Sequence, residues 1–157
     1  MRAEGITAAM ETIQISEDAD ATADWLDQLL NAQAEEAAGQ PFALDYVALE
    51  ASDNGTRLGG LTAKFGREWV FLELLAVEVH ARGKKIGSKL MAQLETIATE
   101  RGKTGIWLDT YSFQAPGFYE KLGYTEIGRI HDYPHGHDRR FLAKRMDGQP
   151  VMGPIKI

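Results

Sequence analysis

Leu75-Ala76-Val77-Glu78-Val79-His80-Ala81-Arg82-Gly83-Lys84-Lys85-Ile86-Gly87-Ser88-Lys89-Leu90 is the stretch on which the reading of this chain turns. An alternating apolar strand passes through a turn holding Arg82, Gly83, Lys84 and Lys85 and enters a helix at Ile86, with Gly87 and Ser88 in its first turn. The first turn of a helix presents unpaired N–H groups and the positive end of the helix dipole, which together attract a phosphate. Glycine lets main chain approach such an anion closely, and lysine adds charge. The stretch therefore predicts a pyrophosphate cradle. Two other phosphate loops are excluded. The G-x-x-x-x-G-K-[ST] pattern needs a different glycine spacing, and Ser88-Lys89 has the wrong order; G-x-G-x-x-G needs a third glycine and a place at the start of a parallel sheet.

The helix that begins here carries Ile86, Leu90, Met91, Leu94, Ile97 and Ala98 along one face and stops near Gly102. Three strand-like runs precede it, over residues 44–50, 57–65 and 69–79, the first two joined through Asn54-Gly55, a hairpin signal. Ile106-Trp107-Leu108 follows as a short buried strand, Pro116 opens a short helix that Gly123 ends, and residues 124–130 and 139–146 read as two last strands. Upstream, Ala21 to Ala37 has helical spacing between the caps Ser16, Asp18 or Asp20 and Gly39, and residues 11–15 alternate like a strand. The order predicts an α+β fold: a mixed six- to seven-stranded sheet flanked by helices, with a central parallel strand-helix-strand unit and not the regular alternation of a doubly wound fold.

The length of 157 residues suits one domain spanning 1–157, with residues 1–10 as a loose arm and 147–157 as a C-terminal tail. Acidic residues number 23 and basic ones 17, for a net charge of −6, which argues against nucleic acid as the partner. No cysteine is present, so a thiolate nucleophile, a thiolate-bound zinc and a disulfide framework are all excluded. The start of the chain opens no apolar run of signal or membrane length, and a cytoplasmic location without membrane association is expected.

A second motif lies at Ser112-Phe113-Gln114-Ala115-Pro116-Gly117-Phe118-Tyr119-Glu120-Lys121-Leu122-Gly123-Tyr124. Taken with the first, it resembles the GNAT superfamily of acetyl-CoA-dependent N-acetyltransferases. That family's phosphate turn, [QR]-x-x-G-x-[GA] after L-x-V-x-P, is matched by Leu75, Val77, Arg82 and Gly87; its second signature, N-x-x-A-x-x-[FL]-Y-x-[KR]-x-G-[FY], is matched by Ala115, Phe118, Tyr119, Lys121, Gly123 and Tyr124. The resemblance covers roughly residues 58–146. Val79 replaces the usual Pro, Lys85 the turn's middle Gly, and Ser112 the frequent Asn.

The resemblance implies acetyl-CoA as co-substrate and direct transfer to an amine, through a tetrahedral intermediate and with no covalent enzyme species. It implies that Tyr119 is the general acid for the leaving thiolate. It also implies that main-chain groups of Leu75, Ala76 and Val77 hold the thioester and pantetheine, that the turn from Arg82 to Ser88 (Gly83, Lys84, Lys85, Ile86 and Gly87 between them) holds the phosphates, and that Gln114 supplies the amide contact absent at Ser112. Glu73 interrupts an apolar strand and is the candidate base or amine anchor, with a purely structural pairing as the alternative; Glu78 and Asp109 are weaker candidates.

The acceptor expected is a small-molecule primary amine. Glu35, Glu36, Glu73 and Asp132 point to a cationic acceptor, with a solvated helix face as the alternative reading of the same carboxylates. Protein-lysine or N-terminal acetyl transfer, or a non-catalytic acyl-CoA-binding module, are the alternatives, and a homodimer is compatible with the reading. Residues 131–138 hold three of the four histidines. They read as a substrate-rim loop, a plain turn or a metal site, and no metal is expected because the spacing fits no zinc signature.

Overall fold

The computed structural model describes residues 11–41 and 44–154, in two compact units, Met1–Phe42 and Ala43–Ile157. The expected arm over 1–10 lies outside the described residues. In the first unit, helix α1 spans Ala19–Ala38. Asp18 caps it, its carboxylate accepting the Ala21 N–H at 2.9 Å, and Gly39 ends it in the left-handed region, donating to Glu35 O at 2.8 Å. The strand expected over 11–15 does not form, and Ile13 and Ile15 are fully or almost fully exposed. Alternation over so few residues makes no strand without a ladder partner.

The second unit carries β1 (Asp45–Asp53), β2 (Thr56–Phe65), β3 (Trp69–Val77), α2 (Ile86–Glu100), β4 (Gly105–Tyr111), α3 (Pro116–Lys121), β5 (Thr125–Ile130) and β6 (Arg139–Arg145). These strands form one six-stranded sheet in the order β1-β2-β3-β4-β6-β5. Only β3 and β4 run parallel, joined by α2, and every other neighbouring pair is antiparallel. Asn54 and Gly55 both take positive φ in the β1–β2 turn, as the Asn-Gly pair predicts.

One face of the sheet is covered by α2, whose Leu90, Met91, Leu94 and Ala98 meet Leu61, Ala63, Val70, Leu72, Ile106 and Leu108 in the core. Strand alternation then puts Phe71, Trp107, Asp109 and Tyr111 on the opposite face, where the Phe71 and Trp107 rings stack with centroids 4.3 Å apart. Gly105 begins β4 because nothing else fits: a Cβ there would lie 2.5 Å from the Trp69 ring and 2.6 Å from Lys144 O.

Two irregularities open the centre of the sheet. Thr62 pairs with Leu74 but Ala63 pairs with Leu72, so Glu73 is the extra residue of a β-bulge in β3. The parallel pairing also stops at Leu72 and Leu108, although both strands continue. From Glu73 to Val77, β3 keeps its ladder to β2 while its other edge departs from β4.

Candidate acetyl-transfer site

The gap between β3 and β4 is the mouth of a cavity of about 610 Å³. Its walls are the end of β3, the turn into α2, the end of β4 and the start of α3. Glu73, Tyr119 and every cofactor-binding residue named from the sequence line it except Lys84, which is exposed on the turn; the weaker candidate Glu78 and the acidic residues Glu35, Glu36 and Asp132 do not line it. Size and placement suit a ligand site, and four separate chain segments converge on it.

The turn is built by backbone conformations. Gly83 has φ +80° and Lys85 has φ +59°, both in the left-handed region that glycine tolerates best. Lys85 thus takes a conformation that suits glycine best and stands as the N-cap of α2, but gives no side-chain cap. The N–H groups of Ile86, Gly87 and Ser88 have no acceptor within the helix, whose first bond runs from Lys89 N–H to Lys85 O at 3.0 Å. These donors line the cavity and can receive an anion. Gly87 is confined by α3: a Cβ on it would lie 3.3 Å from the tip of the Phe118 ring.

Leu75, Ala76 and Val77 bring main chain to the gap. Gly59 and Gly60 of β2 pair with Val77 and Ala76, and a Cβ on Gly59 would come within 2.6 Å of Ala76 O. The second hairpin strand thus supports the site from behind, which requires glycine.

Tyr119, on α3, is buried, and burial pushes its phenol up to about 12. Its ring meets Phe118 and Tyr124 edge to face, at 5.0 and 6.1 Å. The hydroxyl has no hydrogen-bond partner among the described residues, and it keeps solvent access through the cavity. A protonated phenol is therefore presented to the cavity with its donor uncommitted.

Gln114 is oriented by β4. Its Oε1 accepts the Tyr111 N–H at 2.9 Å and the Thr110 hydroxyl at 3.0 Å. The backbone donor assigns that atom as oxygen, so the amide nitrogen is left to donate elsewhere. Ser112, at the motif's Asn position, has a different use: its N–H donates to Asp138 O at 2.8 Å and its Oγ accepts the Asp138 N–H at 3.0 Å, fixing the β5–β6 loop.

Glu73 lines the cavity, and its carboxylate pairs with Lys64 at 2.8 Å. The hydrogen bond to Glu73 holds the Lys64 ammonium above its usual value. Asp109 also lines the cavity, with Arg139 at 2.8 Å. Glu78 does not; its N–H donates to Leu58 O at 2.8 Å, and it borders a separate hollow that shares Leu74, Ala76 and Val77 with the first. In the 131–138 loop, His131 pairs with Asp138 and His135 with Asp132, and Asp132 also accepts the Gly136 N–H at 2.7 Å. Among the described residues no group of three or more His, Asp or Glu could hold a metal ion.

Thr110 and Tyr111 also line the cavity, although they lie outside both sequence motifs. The signal was available, since strand alternation continued from Ile106 puts Asp109 and Tyr111 on one face and Thr110 on the other.

Residues 10–124 match the model of the acetyltransferase (GNAT) family, and the chain belongs to that family. The protein is an acyltransferase with the fold of that family. It is 37% identical over 102 residues to a blasticidin-S acetyltransferase from Streptomyces morookaense, covering 64% of this chain and 75% of that protein. The crystal structure of an acetyltransferase from Bacillus cereus ATCC 14579 superposes with a TM-score of 0.75 at 30% identity, covering 85% of this chain and 97% of that one. An aminoglycoside 6'-N-acetyltransferase complexed with coenzyme A shares the fold at 22% identity, with a TM-score of 0.58 over 90% of this chain and 99% of that one. No helix among the described residues is long and apolar enough to cross a membrane.

Proposed function

We propose that the chain moves an acetyl group from acetyl-CoA directly to the primary amine of a small molecule. The observation that carries this reading is one cavity that joins the unpaired N–H groups opening α2 to the uncommitted hydroxyl of Tyr119 through a gap in the sheet.

The residues present fit acetyl-CoA. The N–H groups of Ile86, Gly87 and Ser88 receive the pyrophosphate, with Arg82 and Lys85 beside them, and the unpaired edge of Leu75 to Val77 and the Gln114 amide receive the pantetheine arm. When bound, acetyl-CoA supplies the activated thioester. The Val77 N–H, which the alternation of the β2 ladder turns toward the gap, polarises its carbonyl. Glu73, directly or through water, takes the proton that frees the amine lone pair. As the new C–N bond forms and the C–S bond breaks, Tyr119 donates its proton to the departing sulfur. Burial keeps its phenol protonated through the neutral range, so the proton is present when the sulfur departs, while the raised value makes it a weaker acid than an ordinary phenol.

Calorimetric titration with acetyl-CoA, followed by free-CoA release on a panel of amines, tests the proposal. Binding and turnover of a small amine are expected. Binding without turnover of any amine would reduce the chain to an acyl-CoA-binding module, and absence of binding would remove the reading altogether.

A further inference from the structure

We infer that the rings of Tyr111, Phe113 and Tyr133 form a recognition wall for the acceptor, selecting amines carried on a planar ring. The inference rests on the acetyl-transfer reading above and adds the shape of the acceptor to it.

Tyr111 closes β4 on the same strand face as Asp109, and both line the cavity. Phe113 stacks on Tyr111 with centroids 5.3 Å apart and planes 4° from parallel; Tyr133 stacks on it at 5.8 Å and 20°. His137 meets the Phe113 ring edge-on at 5.0 Å. Phe113 and Tyr133 nevertheless remain 55% and 44% exposed. One exposed aromatic needs no explanation, but three stacked rings continuing a cavity wall form an apolar surface of the kind that marks a binding site.

The rings are also held in place by the protein's own contacts. Ser112 and Asp138 exchange two hydrogen bonds, tying the segment that carries Phe113 to the loop that carries Tyr133 and His137. Arg129 and His131 brace the Asp138 carboxylate, each at 3.1 Å. Arg139 donates to the Tyr133 hydroxyl at 3.1 Å, holds Asp109 at 2.8 Å, and lies over the Tyr111 and Tyr133 rings at 5.6 and 5.2 Å. A wall ordered in advance loses little conformational freedom when a partner stacks on it.

The carboxylates of the same cavity are already matched, Glu73 by Lys64 and Asp109 by Arg139. What this side of the cavity has left to offer an acceptor is mainly aromatic surface. An added aromatic contact is worth about threefold to tenfold in affinity.

The test compares 2-phenylethylamine with 2-cyclohexylethylamine, which share tether and amine and differ in ring planarity. Free-CoA release should give a kcat/KM for the planar amine about threefold to tenfold above the puckered one. In Phe113→Leu/Tyr133→Leu, which keeps apolar volume and removes the rings, that ratio should fall to about one; Phe113→Trp should keep it. The melting temperature with and without acetyl-CoA checks the fold of each variant, and Phe113→Leu alone serves if the double variant does not fold. Equal kcat/KM values in the wild type, or a preference that survives loss of the rings, would overturn the wall alone. If acetyl-CoA binds but no amine is acetylated, amine transfer fails and the wall falls with it.

Discussion

Glu73 and Lys64 face each other at 2.8 Å across the bulge between β2 and β3, so the carboxylate that interrupts the apolar strand has a cationic partner and still borders the cavity. A merely structural pair and a base restrained by its neighbour predict different kinetics. Glu73→Gln should lower kcat/KM for a good amine by about 10²-fold and change the shape of its pH profile, while the acetyl-CoA Kd stays near wild type. An unaltered pH profile would leave Glu73 with the structural role only.

Tyr119→Phe removes one hydroxyl that has no partner among the described residues. It should lower kcat by about 10²-fold with little effect on acetyl-CoA affinity or on stability near pH 7. Because the folded value, about 12, lies above the reference value of 10.0, ionisation is disfavoured in the native state. Wild type should therefore lose stability as pH rises from about 10 to about 12, and Tyr119→Phe should lose less. Urea melts across that range provide the measurement.

Lys85 and Gly87 separate two demands on one turn. Lys85 sits at φ +59°, a conformation that costs a residue with a side chain about 1 kcal/mol, so Lys85→Gly should leave the melting temperature unchanged or raise it and should retain acetyl-CoA binding. Gly87→Val places branched carbons against Phe118 and over the donors of α2, and should abolish binding by calorimetry.

Thr62 Oγ1 is buried with no hydrogen-bond partner among the described residues. A buried orphan hydroxyl costs about 1–3 kcal/mol, and valine has nearly the same shape. Thr62→Val should therefore stabilise the protein by about 1 kcal/mol in denaturant melts, an outcome opposite to the usual effect of substitutions near a core.

The turn into α2 is legible because its geometry is local: the residues that set the backbone and those that present free N–H groups lie within residues 82–88. The helix α2 was legible for the same reason, through its apolar period. Residues 11–15 misled because alternation is necessary for a strand and insufficient without a pairing edge. The role of Ser112 is hidden from the sequence because its partner, Asp138, lies far along the chain, beyond β5. The Glu73 bulge was equally invisible, since it exists only in the register between β2 and β3. The aromatic wall draws on positions 111, 113 and 133, which no periodicity links.

The two halves of the sheet, β1-β2-β3 and β4-β6-β5, meet along only the four register pairs from Trp69–Gly105 to Leu72–Leu108. That seam is the shortest ladder of the sheet. A molecule lodged in the gap beyond Leu72 would act as a clasp between two blocks, with α2 as the backing that spans them. Amide hydrogen exchange should then show the end of β3 and the end of β4 gaining protection together when acetyl-CoA is added, although they are not paired with each other.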